Sequence, residues 1–204
     1  MVPAKITLST QEMELVNNAD WILTKNAIMM KAKLLLENTQ ELFANHVNLV
    51  AAQLPAEILQ LNAKVSKGEY YRGLPYLILD YPRYFKKENV CAVRCMFWWG
   101  NFFSITLHLS GDFKTRNQAQ ILTSFYLLQQ NNFYLSSNTT EEWEHHFEND
   151  NYLLLKNMTE KEFEQRVIHT PFIKIAKHYP LHAWDAITFH FQDDFAYLLR
   201  FCYS

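Results

Sequence analysis

Glycine is scarce in this sequence, with four residues in 204: Gly68, Gly73, Gly100 and Gly111. No GxGxxG dinucleotide fingerprint, GxxxxGK[ST] phosphate loop or GxSxG nucleophile elbow can be built from them. Their confinement to 68–111 assigns turns and strands to the middle third of the chain and helices to its flanks. Cysteine is as sparse. Cys91, Cys95 and Cys202 are odd in number and lack CxxC spacing, which points to reduced thiols rather than a disulfide framework. A charge excess is missing too: 19 Lys and Arg stand against 21 Asp and Glu, a net charge of −2. Such a chain has no general attraction for phosphate backbones or anionic lipid, and the small basic cluster Arg83, Lys86 and Lys87 reads as a solvated turn. No apolar run approaches the roughly 20 residues that span a bilayer, and MVPAKITLSTQEMEL lacks the apolar segment of a signal peptide. The expectation is a cytoplasmic protein with neither a nucleic-acid nor a membrane partner.

What is present suits a packed core. Hydrophobic residues make up 49% and aromatics 15%, enough for a single domain over 1–204 with a helical part at 1–65 and an α+β part at 66–204. Ser9 and Glu12 have capping-box spacing and open a short helix. From Asp20 to about Gln53 there is no proline or glycine, and apolar residues repeat every seven positions. One row is Trp21, Ile28, Leu35, Leu42 and Leu49; its neighbour is Ile22, Met29, Leu36, Phe43 and Val50. Between them runs a mostly polar line, Lys25, Ala32, Thr39, His46 and Gln53. Either these residues bond to nearby backbone, or the helix lines a wet cavity or a dimer seam. A second helical piece is expected over 56–65, and a short strand over Tyr76–Asp80. Asp112 caps a further helix, and 133–137 and 151–156 read as short strands. Thr159 with Glu162 repeats the capping box, Thr170-Pro171 resembles a helix start, and Trp184, Ile187, Phe191, Phe195, Leu198 and Cys202 mark a last amphipathic helix.

The segment CAVRCMFWWGNFFSITLHLS, residues 91–110, carries most of the chemistry. Gly100-Asn101 between two strand-like runs predicts a 90–99/102–110 hairpin closed by a two-residue type II′ turn. In that register Trp99 faces Phe102 and Arg94 faces Leu107. One face then carries Arg94 among Ala92, Met96, Trp98, Ile105 and Leu107. The other carries His108 with Cys91, Cys95, Ser104 and Thr106. Two thiols four apart on a strand are about 13 Å apart, too far to share a metal ion. A guanidinium on a core face needs a partner, and Asp80 is the nearest carboxylate. Within EEWEHHFEND, residues 141–150, Glu142 and His145 form a Glu-x-x-His pair without a second copy, so it reads as a solvated face. Pro180 interrupts His178 and His182. No metal or other cofactor is called for.

The predicted fold is α+β: a small antiparallel sheet centred on the hairpin, packed by the long N-terminal helix and the C-terminal helices. Two function classes stay open. One is a binding or interaction module, homodimeric through the heptad helix or the open sheet face, with Tyr71, Arg72 and Arg83 in a tyrosine/arginine-rich recognition surface. The other is a small-molecule enzyme in which Arg94 holds an anionic ligand and His108 or Asp80 serves as acid or base. Saturation of Arg94 by Asp80 would remove the anchor of the second.

Overall fold

A computed structural model describes residues 6–140 and 143–203. Helix α1 (Thr10–Asn17) is opened by the Ser9/Glu12 capping box, and Asn18 both ends it and caps α2 (Ala19–Leu49). Helix α2 packs along half its length. Met29, Ala32, Leu36, Thr39, Phe43 and Val47 are buried at spacings of three and four, which combines one apolar row with the polar line beside it. Thr39 is accommodated there because its hydroxyl donates back to the Leu35 carbonyl at 2.8 Å. Lys25 reaches out to Glu69 at 3.5 Å, and His46 meets the Phe195 ring edge-on. Thr39 and Lys25 thus find partners within the chain, while His46 Nε2 is buried without a hydrogen bond.

The helical piece expected over 56–65 is cut short. Helix α3 spans only Ala56–Leu59, and strand β1 begins at Lys64 and runs to Tyr71. Strands β2 (Leu74–Lys86), β3 (Asn89–Trp98) and β4 (Phe102–Ser110) continue a meander. Its first turn takes Arg72 at φ 47° and Gly73 at φ 80°, the paired positive dihedrals of a type I′ turn. Helices α4 (Gly111–Thr123) and α5 (Phe125–Gln130) follow, then β5 (Tyr134–Ser136), β6 (Tyr152–Leu154), α6 (Glu160–His169), β7 (Phe172–Pro180) and α7 (Ile187–Leu199). Thr170-Pro171 therefore starts a strand, contrary to the cap signature. Seven antiparallel strands in the order β1-β2-β3-β4-β7-β5-β6 and these helices make the fold α+β.

The hairpin register differs from the expected one by a single residue. Trp98 pairs with Phe102 and Arg94 with Thr106, so the loop has three residues, 99–101, with Gly100 at φ 72°. Side chains alternate with period two, so this slip turns the whole of β4 over. Cys91, Val93, Cys95 and Phe97 now join Phe103, Ile105, Leu107 and Leu109 in the main core under α2, α4 and α7. Arg94 shares the opposite face with Ser104, Thr106 and His108 instead of Ile105 and Leu107.

Candidate functional site

The opposite face of the sheet is covered by the segment between β5 and β6, which crosses it in irregular conformation from residue 143 to 151. The turn before β2 pins that cover. Tyr71 Oη accepts from the backbone N–H groups of His145 (2.8 Å) and His146 (3.0 Å) and donates to Glu144 (2.8 Å). Its pKa is pushed up to about 12, burial being the main cause. Arg72 Nη1 lies 2.5 Å from Glu148 and Nη2 lies 3.1 Å from His146 Nε2. From below, Lys174, 2% exposed, donates to the Glu144 carbonyl at 2.8 Å.

Beneath the cover the ionisable groups converge. Arg94 grips Asp80 with both edges of its fork, Nε to Oδ1 at 2.7 Å and Nη2 to Oδ2 at 2.9 Å. Its third nitrogen is 3.3 Å from His145 Nε2, and the Trp143 ring lies over the guanidinium at 5.4 Å. A neutral imidazole with its proton on Nδ1 accepts that bond. His145 is held neutral: its pKa is driven well below the usual value by burial, then by Arg94 and Lys174. Burial, followed by Lys174 and Arg94, takes His108 down to about 3. The space left among Arg94, Thr106, His108, His145 and Lys174 is about 10 Å³, room for about one water molecule.

The arrangement binds the cover to the sheet and leaves no volume for a substrate carboxylate at Arg94. Asp80 and Arg94 are brought together as expected; His108 joins them because of the register slip and points away from the thiols. Cys91 meets Cys202, Sγ to Sγ at 3.0 Å, in the main core. Arg83 lies apart, its Nε donating to the Asn62 carbonyl at 2.7 Å. Tyr71 and Arg72 both bond the cover, and Arg72 stays exposed. Glu141 and Glu142 lie outside the described residues, and His145 beside them is not helical. His146, Glu148 and Asp150 place three donor atoms within 4.8 Å, but Arg72 already bonds two of them. Lys174 and Trp143 were missed. The signal for Lys174 was the alternation Phe172, Lys174, Ala176 against Ile173 and Ile175, hidden by the helix-start reading of Thr170-Pro171.

A neutral buried histidine binds its proton in the unfolded chain before it does in the folded one. Its contribution is therefore intact above the unfolded value near 6.5 and is lost as pH falls below it. For His108 the loss between pH 7 and pH 5 is about 2 kcal/mol, and His145 acts in the same direction. The denaturant midpoint is expected to fall steadily from pH 6.5 to 4, and His108→Gln to flatten that slope. An unchanged midpoint across the window contradicts the neutral assignment.

A different surface stands out at the N-terminal side. Residues 6–24 are exposed throughout, among them Ile6 (98%), Val16 (68%), Leu23 (61%) and Trp21 (51%), and α1 buries none of its residues. Where α2 first meets the sheet, a groove of about 340 Å³ runs between it and β1, lined by Met29, Met30, Val65 and Leu77 with Lys33 and Lys67 at the rim. Comparison with protein-family models, with curated proteins and with solved structures gives no match. No helix among the described residues is long and apolar enough to cross a membrane.

Proposed function

We propose that this chain is a protein-interaction module that pairs with a second copy of itself through the arm formed by α1 and the first turns of α2. The observation that carries the reading is the run of eight large apolar side chains left exposed between Ile6 and Leu23, a patch of the kind that marks interaction sites. Charge selects the partner. Glu12, Glu14 and Asp20 are the ionisable residues between positions 6 and 24, whereas Lys25, Lys31 and Lys33 follow with no carboxylate among them. Two arms laid antiparallel bring the acidic part of each onto the basic part of the other, and a parallel arrangement sets like on like. The antiparallel placement also carries α1 of one copy, with Met13 and Val16, alongside the turns of α2 that line the lysine-rimmed groove. It is isologous and closes as a dimer.

Light scattering after size exclusion is expected to give about twice the chain mass of 24.2 kDa. Trp21→Asp with Leu23→Asp returns the monomer mass without changing secondary structure. Reversal of Glu12 and Glu14 to lysine weakens the dimer, and added Lys31→Glu and Lys33→Glu restore it. A monomer at the highest soluble concentration, or a dimer indifferent to the aspartates, overturns the reading.

A further inference from the structure

The turn between β2 and β3 overhangs a cleft of about 530 Å³ on the outer side of the Phe85–Trp143 pair. Its size and walls are those of a small-molecule site, with aromatic rings and a few polar groups. Phe85, Trp143 and Phe172 supply flat apolar surface, and Lys86 and Lys87 stand at the lip. Ser110 lines it as well. This residue holds the N-cap position of α4, a 13-residue helix, yet its side chain makes no capping bond. Asn89 Oδ1 instead reaches the Phe113 N–H, at 3.5 Å. Ser110 is 5% exposed, and its Oγ is buried with no hydrogen-bond partner.

A hydroxyl at an N-cap normally satisfies a first-turn amide, and a buried polar atom normally has a partner. A hydroxyl that does neither, at the wall of an open cleft, is free to donate to something seated there. The neighbouring helix N-terminus carries partial positive charge, and the two lysines add to it, with Glu88 the one carboxylate among the described lining residues. We propose that the cleft binds a small planar molecule with an aromatic body and a carboxylate head. The body lies against Phe85, Trp143 and Phe172, and the head accepts from Ser110 Oγ at the start of α4. This site is independent of the self-pairing arm, which lies on other elements.

Calorimetric titration with 1-naphthoate, and with neutral 1-naphthylmethanol for comparison, tests it. Naphthoate is expected to bind one to one and more tightly than the alcohol. Ser110→Ala weakens naphthoate about tenfold, the worth of a hydrogen bond to a charged group, and weakens the alcohol less. Because the hydroxyl makes no bond in the free protein, that variant keeps its denaturation midpoint, which separates binding from structure. Trp143→Ala weakens both compounds. The proposal is overturned if no saturable binding is found, if Ser110→Ala binds naphthoate as the parent does, or if Trp21→Asp with Leu23→Asp abolishes binding that Ser110→Ala retains.

Discussion

Replacing Asp80 with alanine is expected to lower stability by about 3–5 kcal/mol, because it strands a largely buried guanidinium. Asp80 is 7% exposed and takes both of its strong bonds from Arg94. Trp143 above and the strand neighbours below leave the cation little water with which to replace them. The pair itself contributes far less than its rupture costs, since both ions were desolvated to form it. Asp80→Leu combined with Arg94→Met should therefore recover most of the loss. Denaturant unfolding of the single and double variants decides the matter. If the single change costs under about 1 kcal/mol, the pair behaves as a solvent-screened surface contact and the sealed description of this face fails.

Phe43→Ala is the second large loss, about 3–5 kcal/mol. The Phe43 ring is fully buried and lies parallel to that of Phe195, centroids 3.7 Å apart, so its removal opens a cavity between α2 and α7 that neither helix can close alone. Trp21→Ala, on the same helix and larger in area, should change monomer stability by no more than about 0.5 kcal/mol because the side chain is 51% exposed and belongs to no core cluster. The contrast is read by unfolding below the concentration of self-association. Equal losses at the two positions would mean that the arm packs on the body of the protein.

The parts of the fold that sequence disclosed are those in which one local signal stood unopposed. Ser9 with Glu12 and Thr159 with Glu162 both form capping boxes, and the stripe from Ile187 to Cys202 is buried as its spacing implied. Failures came where two signals competed. Gly100 fitted a two-residue turn as well as a three-residue loop, and only packing of β4 against the helices selects the latter; a period-two pattern magnifies that single-residue ambiguity into an inverted face. Thr170-Pro171 favoured a helix locally, while Ile173 and Ile175 had a vacant place in the sheet to fill, and tertiary burial prevailed. The Asp80–Arg94 pair was legible because a charge on a core face demands a partner. His145 and Trp143 were not, since they arrive on an irregular segment that no periodicity marks.

The strand order has a consequence for how the molecule is made. A ribosome delivers β1 to β4 first, and Phe102–Ser110 then forms the outer border of the growing sheet. Strand β5 joins the sheet through β7, pairing with Ala176 and Ile175, so it cannot shield that border in the meantime. Until translation has passed Pro180, the nascent chain carries an unpaired strand whose inward side is Phe103, Ile105, Leu107 and Leu109, a template for neighbouring chains. Yield in a cell then depends on elongation speed and on the chaperones that guard the wait.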